Sequence, residues 1–456
     1  MKLTYIKWSF VLAAAATLFS CKRYVDIPAA PSQLSPDAAY ATDASATGAA
    51  LAMYSYYLTT NSISYFNTCG SLAADDLQYT GTTTAVTEFS ASQVTTANSN
   101  LVNYLWTYPY SVVREANQVI IGVNKSTGVT AATKSQLTGE AKFFRAFYLF
   151  NMVNYFGPVP LPLNDVELDN ALLPRSDTAT VYAQIIADLK DAETLLPGAY
   201  ATTFRARANK YAAAALLARA YLYKKDYVNA EAEATKVIGA TDVSYSLPLD
   251  SLAFVNTSPE IILQFATLYG FSQFGGYYRT SSATAAPSYT LNPVIANAFE
   301  AGDTRRRDWV DSVTVGSTKY YKIRKYKLVT ATAGNEYDVI LRLAEQYLIR
   351  AEARAQQNNN SCAQADINAI RTRAGLGNTP ATTQAALLAA IAQERKVELF
   401  GEMSHRWFDL KRTGQAHNVL SAISGKQPWA GDYQLLYPIP LAEIQADPVL
   451  QQNPGY

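Results

Sequence analysis

The chain has 456 residues and a formal net charge of +1, with 49% hydrophobic but only 16% charged residues. That length can bury a large core, and so small a charge excludes nucleic acid as a partner, which needs a concentrated basic field. Tyrosine stands out at 32 copies, beside 17 phenylalanines and 5 tryptophans. A ring with a polar tip suits recognition of uncharged polyhydroxylated or peptidic ligands.

Residues 1–20 read as a targeting segment outside the fold. Lys2 and Lys7 supply its basic end, Phe10 to Phe19 its short apolar run, and Ser20 precedes Cys21. Leu18-Phe19-Ser20-Cys21 resembles a bacterial lipoprotein signal, in which the cysteine is acylated and becomes the mature N-terminus; an ordinary secreted cysteine is the alternative. More than one acyl chain on Cys21 gives stable anchoring, since a single chain is marginal. No later stretch has the roughly 18 continuous apolar residues of a transmembrane helix. Cys69 and Cys362 are the other cysteines, and an oxidising envelope permits a disulfide that a chain of this size does not need.

Residues 24–45 read as an extended leader, followed by a first helix over about 47–57. Residues 61–100, with Gly70, Gly81, Tyr65, Phe66 and Tyr79, read as a long loop of the kind that carries function. Helical spacing then predicts a pair over 101–124 and 136–156, stopped by Gly157-Pro158-Val159-Pro160. Further helices follow at 180–195 and 210–238. In the latter, Leu217, Ala218, Tyr221, Tyr227, Ala230 and Val237 fall at the spacings of a tetratricopeptide repeat. Residues 340–357 and 364–374 read as another degenerate copy. Such pairs stack their exposed faces into one core, which predicts a solenoid-like arrangement.

Residues 384–400 place Leu388, Ile391, Arg395 and Leu399 on one helical face. The neighbouring face carries Glu394, Glu398 and Glu402, like charges that repel at i,i+4 unless neutralised. Arg395, Arg406 and Arg412, with Arg145 further off, are the candidate partners in a network joining several helices; a solvated charged face is the competing reading. Between about residues 241 and 335 the pattern changes. Strands are expected at 261–265 and 320–328, with a Gly, Ser, Tyr and Phe loop over 270–289. The basic run Lys319, Lys322, Arg324, Lys325 and Lys327 reads as a strand with one wetted face.

No His-Glu-x-x-His or Gly-x-Ser-x-Gly occurs and the only histidines are His405 and His417, so no catalytic constellation, metal site or cofactor is expected. A binding site needs flat rings and fixed polar groups. Tyr79, Trp106, Tyr277, Tyr278 and Trp309 are the candidate rings. Asp75 is a candidate acceptor for sugar hydroxyls, with a turn-forming role as the alternative for it and its neighbour Asp76.

Several motifs then coincide: the Cys21 signal, Gly139-Glu140-Ala141-Lys142-Phe143-Phe144-Arg145-Ala146, Tyr155-Phe156-Gly157-Pro158-Val159-Pro160, Arg371-Thr372-Arg373-Ala374-Gly375-Leu376, Arg406-Trp407-Phe408-Asp409-Leu410-Lys411-Arg412, and Tyr437-Pro438-Ile439-Pro440. Together they resemble the SusD/RagB family, outer-membrane nutrient-binding lipoproteins of Bacteroidetes. The resemblance implies a mainly α fold of four tetratricopeptide-like helix pairs in a right-handed superhelical scaffold. It implies one domain over 21–456, with an N-terminal part to about 240, a loop-rich part over 241–335 carrying short strands and the ligand site, and a C-terminal helical part. It further implies a non-catalytic cell-surface protein, anchored to the outer membrane by lipid, that passes oligosaccharide or peptide to a SusC-like TonB-dependent transporter. Arg373, in a well-matched motif, is expected near the ligand. An envelope glycoside hydrolase is the contrasting reading, and it would need a facing carboxylate pair.

Overall fold

The computed structural model describes residues 35–60, 62–267, 270–278, 284–328 and 336–456. The acylation candidate Cys21 lies outside them. Local signals in the sequence set the main helices. Thr130, Asp177, Asn209 and Thr383 each accept a backbone amide hydrogen at a helix start, meeting donors that a first turn leaves unpaired. Gly157 ends the 26-residue helix Ala131–Phe156 at φ +73°, a conformation that L side chains resist, and Pro158 prevents resumption.

The scaffold runs from α1 (Asp43–Thr60) and α2 (Ser62–Ala73) to α3 (Tyr108–Lys125), α4 (Ala131–Phe156), α5 (Thr178–Leu195), α6 (Lys210–Tyr223) and α7 (Tyr227–Ile238). Each helix from α3 to α7 packs on the next, and α7 packs on α10 (Leu343–Gln356) of the C-terminal half. There α10 contacts α11 (Asn360–Arg373) and α12 (Gln384–Glu398), and α13 (His405–Arg412) returns to α2. Ala212, Ala213, Ala214 and Ala215 in α6 are all fully buried, so this helix can approach its neighbours closely.

Between the halves lie short helices, among them α8 (Gln273–Tyr278) and α9 (Thr304–Trp309), and two small antiparallel sheets. One pairs β2 (Ile261–Phe265) with β6 (Asp338–Arg342), and all ten residues are buried. The other has the order β1 (Leu77–Tyr79), β3 (Tyr289–Leu291), β5 (Thr318–Ile323), β4 (Val310–Val315).

Several expectations are corrected. Residues 61–100 are not a long loop: α2 and the helix Thr84–Ser90 occupy much of the segment. The described part of α2 is almost wholly buried, so the helix shows no amphipathic period to read, and packing overrides its modest propensity. Residues 340–342 belong to β6 rather than to the helix after them, and α8 interrupts the expected 270–289 loop. Cys69 and Cys362 are free thiols, so the disulfide does not form.

The acidic ladder that runs from α12 into the following turn is neutralised inside the protein, but by other partners. Glu398 takes Arg305 at 2.9 Å, Arg342 at 2.6 Å and Arg373. Glu394 takes Arg305 at 3.0 Å and Arg371 at 2.8 Å, while Glu402 takes Arg342 at 2.7 Å and Lys325. The four arginines expected there are engaged elsewhere: Arg395 with Asp409, Arg406 with Asp75, Arg412 with Glu352 and Asp409, and Arg145 with Asp188. Lys325, expected on a wetted face, is buried beneath the network with Glu402.

Candidate functional site

Seven half-buried tyrosines form one continuous line of ring contacts. Tyr56 lies 5.9 Å from Tyr108, Tyr108 lies 5.4 Å from Tyr104, and Tyr104 stacks on Tyr65 at 3.6 Å with an interplanar angle of 6°. Tyr65 then meets Tyr277 edge-on at 5.7 Å, Tyr277 meets Tyr289 at 5.7 Å, and Tyr289 meets Tyr79 at 5.2 Å. All seven keep part of their surface in solvent. The edge-on contacts of Tyr56 with Tyr108, Tyr65 with Tyr277 and Tyr277 with Tyr289 suit the ring quadrupoles, whereas Tyr65 and Tyr104 lie nearly face to face.

The ridge is assembled from distant pieces. Tyr56 comes from α1, Tyr65 from α2, Tyr277 from α8, and Tyr79 and Tyr289 from paired strands in direct register. Tyr104 belongs to a π-helical turn, Leu101–Thr107, that leads into α3 and Tyr108. Wider turns of this kind are rare and re-aim side chains at functional places. Behind the ridge, Ser272 Oγ and the amides of Gln273 and Phe274 donate to the Asp338 carboxyl, which ties the start of α8 to β6.

Burial makes these phenols weaker acids: the pKa of Tyr277 is pushed up to about 12, and those of Tyr65, Tyr104 and Tyr289 also shift upward. The hydroxyls are therefore neutral near neutral pH, able both to donate and to accept. A surface of flat apolar faces edged by neutral hydroxyls complements an uncharged ligand with its own hydroxyls.

Of the site candidates named in the sequence (Tyr79, Trp106, Tyr277, Tyr278, Trp309, Asp75 and Arg373), Tyr79 and Tyr277 stand on the ridge. The others do not. Tyr278, next to Tyr277, points inward and is 1% exposed; its hydroxyl accepts from Asn67 Nδ2 at 2.5 Å and donates to the Gly401 carbonyl at 3.4 Å. Trp106 is 2% exposed and packs edge-on against Phe156 and Tyr110. Trp309 is fully buried, donates to the Asp250 carbonyl at 2.8 Å, and lies against the cations Lys325, Arg342 and Arg373. Arg373 is consumed by Asp250, Glu260 and Glu398. Asp75 accepts both donors of Arg406, at 2.6 and 2.8 Å, and Asp76 accepts from the Gly401 amide at 3.2 Å. Burial, reinforced by the Asp75 charge, pushes the Asp76 carboxyl up to about 7.

Tyr56, Tyr104 and Tyr108 were not legible as members of the ridge. The i,i+4 spacing of Tyr104 and Tyr108 is a usable signal, but the same spacing marks a core stripe. Among the described residues no cluster of His, Cys, Asp and Glu could hold a metal ion, and no helix is long and apolar enough to cross a membrane.

Packed helices that carry a ridge of rings define the class: a mainly α scaffold displaying an aromatic surface. Sequence comparison places it more closely. The sequence model of the SusD family matches residues 297–456, and that of a related family, starch-binding associating with outer membrane, matches residues 35–222. The chain belongs to the SusD/RagB family. SusD-like protein P25 of Formosa agariphila is 26% identical over 422 residues, covering 78% of this chain and 80% of that one. A SusD-like protein of Bacteroides ovatus is 25% identical over 382 residues, 71% of this chain and 67% of that one. Among solved structures, a laminarin-binding SusD-like protein matches with a TM-score of 0.76 at 27% identity over 91% of this chain and 100% of that one. A SusD superfamily protein of Bacteroides vulgatus matches with a TM-score of 0.80 at 20% identity over 91% of this chain and 100% of that one, a likeness of fold.

Proposed function

We propose that this protein captures neutral oligosaccharides on its tyrosine ridge and passes them, without transforming them, to a TonB-dependent outer-membrane transporter. The observation that carries this reading is the unbroken contact of seven half-buried tyrosines drawn from helices and strands far apart in the chain. Pyranose rings have an apolar face that lies on an aromatic ring and hydroxyls that bond to phenols. Kinship with a laminarin-binding relative and with a starch-binding family supports glycan as the ligand class. Anchoring through acylated Cys21 and docking on a SusC-like barrel complete the reading.

A carrier must release its ligand, so micromolar or weaker affinity is expected, about −8 kcal/mol or less favourable. The test is calorimetric titration with laminari-oligosaccharides, malto-oligosaccharides and a peptide panel. Saturable binding of a neutral glycan is expected. Binding of peptides alone would replace oligosaccharide with peptide as the ligand, and release of reducing ends by the purified chain would replace capture with hydrolysis.

A further inference from the structure

A cavity lies away from the ridge. A cleft of about 990 Å³ opens between the α6–α7 turn, α10, α12 and α13, and none of the seven ridge tyrosines lines it. Six of its lining side chains are basic and two are carboxylates. Both carboxylates are already satisfied: Asp409 by Arg395 and Arg412, at 2.7 and 2.8 Å, and Glu352 by both terminal nitrogens of Arg412, at 2.5 and 2.7 Å.

Donors are left over. Arg395 spends only Nε on Asp409; Nη1 and Nη2 have no hydrogen-bond partner although the residue is 4% exposed. Tyr223 is another residue of the cleft wall, and its hydroxyl is buried and equally unpartnered. Lys225 and Lys396 line it too, and among the described residues neither forms an ion pair. Buried donors without acceptors carry their full desolvation penalty, and a guanidinium with two free terminal nitrogens matches the two oxygens of an oxyanion.

We propose that this cleft is a second ligand site, holding one oxyanion (a carboxylate, sulfate or phosphate group) against the Arg395 guanidinium and the Tyr223 hydroxyl, with Lys396 and Lys225 neutralising its charge. The group is either a free ion or the acidic substituent of a sugar. The site is independent of the ridge, which lacks charge.

The purified chain is titrated calorimetrically with sodium sulfate, sodium phosphate and sodium glucuronate, each against sodium chloride at equal ionic strength. Saturable binding of at least one of them at one site per chain is expected. Tyr223→Phe, which keeps the ring and removes only the orphan hydroxyl, weakens that binding about tenfold, and Arg395→Gln weakens it further. Glucuronate binding tighter than sulfate and phosphate assigns the group to an acidic sugar; the reverse order assigns a free inorganic ion. No saturable binding beyond chloride, or undiminished binding by Tyr223→Phe, overturns the proposal even if Arg395→Gln fails to fold.

Discussion

Replacing Glu398 by glutamine tests how the halves of the molecule are fastened. Its carboxylate is fully buried and receives Arg305 from α9, Arg342 from β6 and Arg373 from α11. Glutamine keeps the shape but loses the charge and turns one acceptor into a donor facing a guanidinium. Removing one partner of a buried ion pair costs about 3–5 kcal/mol, because the remaining charges stay buried and uncompensated. For a chain of 456 residues, with an unfolding entropy near ~2.1 cal/mol/K per residue, that lowers Tm by about 3–5 °C. Burial opposes ionisation of Glu398, yet Arg373, Arg342 and Arg305 together hold its carboxyl well below the ordinary glutamate range. A depressed folded-state pKa stabilises above the unfolded value and that contribution is lost as pH falls through the folded one. The gap between wild type and Glu398→Gln is therefore full at neutral pH and narrows once the pH drops below the ordinary glutamate value. Calorimetric melting at several pH values measures it, and a variant melting within about 1 °C of wild type at neutral pH would refute the argument.

Other expectations follow from the same geometry. Trp106→Ala and Trp309→Ala each destabilise by about 3–5 kcal/mol in urea titrations while leaving the glycan affinity of the folded fraction unchanged; a selective loss of affinity at constant stability would return these rings to the site. Burial pushes the Asp338 carboxyl up to about 8 against its amide donors. The folded state thus holds an extra proton between the ordinary aspartate value and about 8. Wild-type stability falls as pH rises through that window, and Asp338→Asn flattens the decline. Cys69 and Cys362 both react with a thiol reagent in denaturant without reductant, and only the partly exposed Cys362 reacts in the native state; a thiol count that rises only after reduction would contradict the free cysteines.

The helix pairs were legible because their signals are local. The helical spacing of Leu217, Ala218, Tyr221, Tyr227, Ala230 and Val237 and the Gly157-Pro158 stop lie within the segments they govern. The fastening network was only half legible. The ladder Glu394, Glu398 and Glu402 announces a need for cations, but Arg305 stands 93 residues before Glu398, a distance that no helical period spans. The ridge was legible as composition rather than as place. Tyrosine excess pointed to ring recognition, and Tyr79 and Tyr277 do stand on the ridge, but Tyr278, adjacent to Tyr277, is turned inward, which α8 decides. Trp309 and Arg373 misled for one reason: an aromatic ring and a guanidinium suit a ligand site and a buried cation network equally well.

The most direct test of glycan capture removes the stacked centre of the ridge. Isothermal titration of the best-binding neutral oligosaccharide compares wild type with Tyr65→Ala and Tyr104→Ala, alongside melting curves that confirm the fold. Each lost ring is expected to cost about 1–3 kcal/mol, roughly a five- to 150-fold rise in Kd, with the scaffold intact. Undiminished affinity in both folded variants would contradict the ridge as the place where ligand is held.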